Sequence, residues 1–370
     1  MGKTVNFLFL EKILQPTPAN LITREFHEHL SLIATSSPLS YAFLMKVLLA
    51  ALTLLATGFT YSQTIHFPET QWKEKELDHF MIRTHGTGTD PARKYSEKTF
   101  EVMLEILPGL EADFEKKEFR TPRGQDAGKE DKFRFTTYLM DTGNVFHDCV
   151  MTDAKRNNWP AGNIQITKTV GNYLDPYNRY LVICKTDAQN SGGGKEEDKK
   201  AILVHSLGTA LMKGRTRQGQ LPFWMTAGIG YYAEHMVFDR CSIYYLDFEA
   251  YYQANPDAKV DARKGGSLGP EESWAKILRK LCKAGKRVSL EKTINAEIIT
   301  LSPNESGYMF ALNYFMVSTA ERTKKYQTFI TAIREGKDAT KELLLETYGY
   351  ADDTAFETDW YEWMMSSKFK

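Results

Sequence analysis

The chain has 370 residues, and its 47 Lys and Arg balance its 47 Asp and Glu, so the formal net charge is zero. This neutrality excludes the strong positive field by which nucleic-acid-binding and polybasic membrane-binding proteins attract their partners. The hydrophobic fraction of 42% and the charged fraction of 25% are typical of a folded globular protein.

The first 62 residues differ in character from the rest of the chain. Lys46, the apolar run 47–57 and the small residues that follow it predict a secretory signal peptide over residues 45–62. Residues 1–44 show no sustained periodicity and are interpreted as a disordered or non-native extension. We therefore expect a secreted or otherwise extracytoplasmic protein. The alternative is an uncleaved N-terminal segment that anchors the chain in the membrane.

The next part of the chain, residues 63–190, alternates between strand and helix patterns. Strands are predicted at 77–84, 132–140, 163–167 and 179–185 from apolar alternation. A helix is predicted to begin at Asp90-Pro91, since Asp is a favoured N-cap and Pro a favoured first helical residue. It runs toward Phe119 with an interruption at Pro108-Gly109. These patterns predict an α/β subdomain.

The pattern of residues 191–370 predicts helix almost throughout. Helices are predicted at 195–213, 221–238, 271–284, 308–335 and 338–366. An α/β part followed by a helical part predicts the α+β class. The glycines at 192–194 followed by Lys195 are interpreted as a loop rather than a phosphate-binding motif, because Glu196 stands where Ser or Thr would bind Mg²⁺.

The four cysteines leave two alternatives open. In an extracytoplasmic compartment they can form two disulfides, with three connectivities. Otherwise they are buried free thiols, since cysteine is among the most buried residue types. The residues concerned are Cys149, Cys184, Cys241 and Cys282.

One segment, His205-Ser206-Leu207-Gly208, suggests chemistry. A serine-hydrolase nucleophile elbow would place Ser206 at the tip of a strand-to-helix turn, but it needs a small residue where Val204 stands. The preceding segment is also helical rather than extended. A serine-type hydrolase that uses Ser206 with His205 or His235 is therefore only an alternative.

A second pattern covers two helices. Residues 201–212 (AILVHSLGTALM) and 221–234 (LPFWMTAGIGYYAE) resemble the paired active-site helices of gluzincin-type, peptidase-MA-like zinc metallopeptidases. In active members these helices read H-E-x-x-H-A-L and L-P-x-W-x-x-E-G-x-A-x-Y. The resemblance extends over residues 77–365 and is most specific over 201–234. It implies a zincin-like fold, with an α/β subdomain followed by a helical one that carries the vestigial active-site helices.

Aligned with this motif, most of the chemistry is missing. His205 keeps the first zinc-ligand position, whereas Ser206 replaces the general-base Glu, Thr209 the second histidine and Ala227 the ligand Glu. One imidazole does not form a catalytic zinc site, which takes three protein ligands, so the resemblance implies that zinc is lost and that no cofactor is bound. Glu234 lies two turns beyond Ala227, at roughly 10 Å, too far to restore the missing carboxylate.

The resemblance thus implies a secreted, non-catalytic pseudopeptidase that serves as a binding scaffold. Its partner would be a peptide or protein held in the vestigial cleft, which Trp224, Tyr231 and Tyr308 would line, with no nucleic acid involved. A metallopeptidase with ligands recruited from Glu234 or His235 is a further alternative. Gly208 inside the first helix costs about 1 kcal/mol against Ala, which predicts close approach of a neighbouring backbone.

Overall fold

The computed structural model describes residues 72–86, 88–115, 134–140, 143–156, 172–174, 181–185, 198–214, 221–241, 273–297 and 301–370. The chain divides into two units, Met1–Ser62 and Gln63–Lys370, and every described residue belongs to the second. The predicted extension, signal peptide, strand at 163–167 and glycine run at 192–194 lie outside the described residues. Among the residues described, no helix has the length and apolar character needed to span a bilayer.

A small mixed sheet forms one layer of the described fold. Its strands are β1 (Lys73–Glu76), β2 (Phe80–His85), β3 (Phe135–Met140), β4 (Asn172–Leu174) and β5 (Leu181–Lys185). They lie in the order β1-β2-β3-β5-β4. The central strands β2, β3 and β5 are parallel, whereas β1 and β4 run antiparallel to their neighbours at the two edges.

The edge strand β1 has an unusual sequence, Lys-Glu-Lys-Glu, and all four residues are exposed. Glu74 accepts a hydrogen bond from Arg83 of β2 at 2.7 Å, and Glu76 forms an ion pair with Arg134. Alternation places the two lysines on one face of the sheet and the two glutamates on the other. Sequence analysis missed this strand because it contains no apolar residue.

The inner strands follow their apolar pattern. In β2, Phe80, Ile82 and Thr84 are buried and alternate with half-buried residues. This strand begins at Phe80 rather than at the predicted Leu77, because the backbone N–H of Leu77 donates to the carbonyl of Phe80 in a turn, at 2.8 Å. Strand β3 is buried at nearly every position, so it is a central strand and not the half-buried strand that its alternation predicted.

Helices make up most of the described chain. They are α1 (Thr89–Ile106), α2 (Leu110–Glu115), α3 (Gly143–Arg156), α4 (Asp198–Gly214), α5 (Phe223–Phe238), α6 (Trp274–Lys283), α7 (Leu290–Ile294), α8 (Pro303–Met316), α9 (Ala320–Arg334), α10 (Lys341–Tyr348) and α11 (Asp353–Met365). A mostly helical chain with a small sheet confirms the predicted α+β class.

Two helices that were predicted as long and continuous are each divided into two shorter helices in the structure. The helix predicted at 308–335 ends at Met316, and a new one begins after Thr319, whose hydroxyl caps it by accepting from the N–H of Arg322 at 3.1 Å. The helix predicted at 338–366 is divided at Gly349, which has φ of +79°, a left-handed conformation that ends helices and favours glycine. Periodicity continues across both breaks because each pair of helices buries an apolar face in the same core.

That core is continuous from the sheet to the last helix. It includes Phe80 of β2, Phe100 of α1, Leu203 of α4, Phe310 of α8 and Trp360 of α11. Helix α4 packs against β5 and α1 and also against α5, which in turn packs against α8. The two helices that carry the zinc-peptidase-like motif are therefore the central layer of the molecule.

Candidate functional site

The candidate site lies where α4 and α5 pack together in antiparallel orientation. The hydroxyl of Thr209 donates to the carbonyl of Thr226 at 3.0 Å, and one turn earlier on α4 the ring of His205 faces Gly230 of α5. The residues that the resemblance aligned with a zinc site all lie on these two packed helices. These are His205, Ser206, Thr209 and Ala227, none of which is more than 2% exposed.

His205 is held on two sides by α5. Its Nδ1 lies 2.6 Å from Oε1 of Glu234, and both side chains are fully buried. A hydrogen bond this short is typical of a charge-assisted pair. Two ligands of one tetrahedral zinc, each about 2.0–2.1 Å from the ion, would stand roughly 3.3 Å apart. The His205–Glu234 pair thus directly cross-links α4 and α5 with no space for an ion between these two atoms.

Glycines make this close packing feasible. A Cβ atom at Gly230 would lie 2.6 Å from Nε2 of His205, and one at Gly208 would lie 2.9 Å from the Cβ of Ala233. Both distances are shorter than real carbon contacts allow. The close approach predicted from Gly208 is confirmed.

A third glycine serves the neighbouring interface between α5 and α8. A Cβ at Gly228 would lie 1.9 Å from Nδ2 of Asn313. This buried amide donates to the carbonyls of Trp224, at 3.1 Å, and Met309, at 3.0 Å, and so ties α8 to the first turn of α5. The layer α4–α5–α8 is joined by polar contacts on both sides of α5.

The three aromatic residues expected to line a cleft are all buried, at 2% exposure or less. The ring of Tyr231 lies 4.8 Å from that of His205 and 4.9 Å from that of Trp274, centroid to centroid. Tyr308 lies elsewhere, beside Cys282 and Trp360, where burial raises the pKa of its hydroxyl. These side chains, including Trp224, present no surface to a peptide.

The second histidine considered, His235, points away from its neighbour Glu234 along α5. Its ring packs 5.2 Å from the rings of Phe310 and Tyr314. Burial lowers the pKa of His235 below its ordinary value of 6.5, opposed by the negative charge of Asp239. His235 is therefore a neutral core side chain near pH 7.

A buried thiol lies close to the His205–Glu234 pair. Cys241 donates from Sγ to the carbonyl of Tyr231 at 3.4 Å. Burial and the negative charge of Glu234 raise the pKa of this thiol well above its ordinary value, so it stays protonated and is neither a nucleophile nor a ready metal ligand. Cys149, Cys241 and Cys282 are all free and buried, which excludes a disulfide among these three.

Comparison with known proteins gives no match for this chain. No family model, curated protein or solved structure matches it. Within the part of the chain that is described, no three His, Cys, Asp or Glu side chains are grouped as a metal site would need. The chemistry of the site therefore has to be argued from its own geometry.

Sequence reasoning found the position of the site but missed its main polar contact. The sequence indicates Glu234 only as a distant replacement for the carboxylate missing at Ala227, whereas in the structure its carboxylate contacts the ring of His205. A carboxylate in the apolar stretch 224–235 was the available signal, because an ionised side chain is buried only when it is paired. Asn313 was also missed, because one of its two partners, the carbonyl of Trp224, lies on another helix.

Proposed function

We propose that this chain is an extracytoplasmic, non-catalytic relative of the gluzincin-type zinc peptidases that works as a binding scaffold. The observation that carries the proposal is the buried His205–Glu234 pair. It directly joins the two motif helices through His205, the residue that the resemblance aligns with the first zinc ligand. A protein contact in that position leaves the helix pair assembled without a metal.

The surrounding residues support the same interpretation. Thr209, at the position of the second zinc-binding histidine, donates a hydrogen bond from its hydroxyl to the carbonyl of Thr226. Ser206 and Ala227, at the positions of the general base and the ligand Glu, are fully buried. A serine hydroxyl is a weak base near neutral pH, and the methyl group of alanine cannot bind zinc. The positions of the general base, the second histidine and the ligand Glu therefore carry neither a carboxylate nor an imidazole.

The burial of these residues also bears on how a scaffold would bind. With Trp224, Tyr231 and Tyr308 enclosed in the core, we propose that a peptide or protein partner engages an outer surface of the molecule. The helix layer then serves as a rigid support for that surface. Export of the chain is part of the same proposal, which rests on the apolar run at 47–57.

Metal analysis tests the catalytic part of the proposal. The purified chain is dialysed against zinc, then against buffer, and its metal content is measured together with its hydrolysis of a casein substrate. We expect zinc far below one ion per chain, no hydrolysis above background, and the same result for the His205→Ala variant. Stoichiometric zinc that a chelator removes together with peptidase activity would falsify the proposal.

Two further measurements test the remaining parts. A fluorophosphonate probe should leave Ser206 unlabelled in the native protein, and labelling that disappears in Ser206→Ala would instead indicate a serine hydrolase. N-terminal sequencing of the exported chain should begin near Gln63. Retention of residues 45–62 in the mature protein would favour the membrane-anchored alternative.

A further inference from the structure

Helix α6 and the loop after it carry concentrated positive charge in a chain that is neutral overall. Residues 273–290 contain six basic side chains and no acidic one. These are Lys276, Arg279, Lys280, Lys283, Lys286 and Arg287. At 100° per residue, Lys276, Lys280 and Lys283 fall within one narrow stripe of the helix. All three are exposed, and together they form the surface that we call the lysine face.

The orientation of the lysine face is fixed by the opposite side of the helix. Ile277, Leu278 and Leu281 are buried, at 2% exposure or less, and α6 packs against α8 and α11. The helix begins at a firm cap, where the hydroxyl of Ser273 accepts from the N–H of Lys276. The apolar stripe therefore holds the three ammonium groups toward solvent.

No neighbouring carboxylate in the described chain neutralises the lysine face, whose three side chains form no ion pair there. On α11, which packs against α6, Glu357 accepts from the N–H of Leu290 at 2.6 Å. Also on α11, Asp359 and Asp353 pair with Arg322 and Lys341, each at 2.8 Å. With respect to the residues that the structure describes, the positive charge of the lysine face is thus available to a partner.

The two arginines of this segment each contact the C-terminal part of the chain. Arg279 donates to the carbonyls of Ser366, at 3.2 Å, and Phe369, at 2.8 Å, which brings the exposed Lys368 beside α6. The guanidinium carbon of Arg287 lies 4.8 Å from the ring centre of Tyr361. Arginine is the side chain whose planar fork matches phosphate. The lysine face instead presents the ammonium ions of Lys276, Lys280 and Lys283, which attract anions as point charges.

We propose that the lysine face binds an acidic polypeptide segment of a partner protein. The helical rise places the Cα atoms of Lys276 and Lys280 about 6 Å apart along the axis. Alternate carboxylates of an extended chain repeat at about 6.6–6.8 Å, so successive acidic side chains can meet successive lysines. The absence of arginine from the lysine face itself disfavours a nucleic-acid or phosphate ligand.

A membrane surface is disfavoured because the exposed large apolar side chains of the described residues are only Met236 and Met365. Binding at the lysine face is also independent of the proposed pseudopeptidase ancestry, since it rests on surface charge and not on the His205–Glu234 pair. Zinc content and peptide binding are separate measurements, so either proposal can fail while the other stands.

The test is a binding titration of the full chain with a fluorescein-labelled ten-residue glutamate peptide at low ionic strength. The charge-reversal variant Lys276→Glu/Lys280→Glu/Lys283→Glu should raise the Kd about tenfold or more, since three exposed ion pairs become repulsive. Added salt should weaken wild-type binding, because exposed charges are screened. A neutral Gly-Ser peptide of the same length should not bind.

A matched control reverses three exposed lysines elsewhere, in Lys98→Glu/Lys324→Glu/Lys337→Glu, and should leave the Kd within about twofold. The variant with glutamine at positions 276, 280 and 283 repeats the test if charge reversal disturbs folding, which circular dichroism reports. The proposal is overturned by absent wild-type binding, or by equal losses in the lysine-face and control variants. It is also overturned by tighter binding of duplex DNA or of phosphatidylserine vesicles than of the glutamate peptide.

Discussion

The His205–Glu234 pair yields the sharpest test of how the central helices are held. Removing the carboxylate in Glu234→Leu leaves the imidazole of His205 without this partner in the core. Because both side chains are 0% exposed, solvent does not screen the pair, and the small values of surface ion pairs do not apply. Breaking a buried pair by removing one partner costs about 3–5 kcal/mol.

The double variant His205→Leu/Glu234→Leu separates the loss of the pair from the cost of leaving one member alone. Replacing both members of a buried ion pair by apolar side chains is often close to neutral. We therefore expect the double variant to recover most of the stability that Glu234→Leu loses. The coupling energy between the two side chains should then reach about 3 kcal/mol, the upper end of the range for residues in contact.

Urea denaturation followed by circular dichroism measures both quantities, as free energies of unfolding. Glu362→Leu on the surface of α11 is the control for Glu234→Leu and should change stability by less than about 0.5 kcal/mol. A cost below about 1 kcal/mol for Glu234→Leu, or strict additivity of the two leucine substitutions, would show that the pair does not join the helices.

Three other outcomes follow from neighbouring contacts. Gly228→Ala should destabilise the fold by about 1–3 kcal/mol or more through overpacking against Asn313. The control Gly88→Ala, where the added Cβ lies 3.9 Å from its nearest neighbour, should change stability little. Thermal or urea unfolding measures both, and a gain in stability from Gly228→Ala would contradict the tight packing. Because burial lowers the pKa of His235 below 6.5, the unfolded chain binds more protons than the folded chain, and stability falls as pH drops below about 6.5. In unfolding measured as a function of pH, His235→Phe should reduce this loss of stability. An unchanged pH profile in the variant would refute the role of His235. Burial raises the pKa of Cys149 to about 12 and also raises the pKa values of Cys241 and Cys282. A Cys184→Ser variant, which keeps only these three thiols, should therefore react with a thiol reagent at pH 8 only after unfolding. Rapid labelling of the native variant would contradict this prediction.

Local patterns predicted much of the fold. The α4 and α5 segments were predictable from their continuous apolar character, with Pro222 at the start of α5, and the α+β class followed from the order of elements. Short elements such as β4 and α7 were not predicted, because three to five residues carry too little periodicity. The breaks after Met316 and at Gly349 depend on capping and on a left-handed residue, which an apolar pattern does not report.

The polar contacts of the site were less predictable than its position. Helix α5 is buried continuously over Trp224–His235, so its sequence shows no preferred face, and periodicity could not indicate that Glu234 points to α4 while His235 points to α8. Such an assignment requires the relative placement of three helices. The motif located His205 and Thr209 because their spacing of four residues alone places them on one face.

The Lys-Glu-Lys-Glu edge of the sheet has a consequence for how molecules meet one another. If two copies paired through β1 about a two-fold axis, the axis would stand perpendicular to the extended sheet, and each face would continue into the same face of the second copy. Lysine would then lie opposite lysine and glutamate opposite glutamate, and like charges directly across a ladder repel. The charged edge thus disfavours the joining of two copies through β1 into a larger sheet.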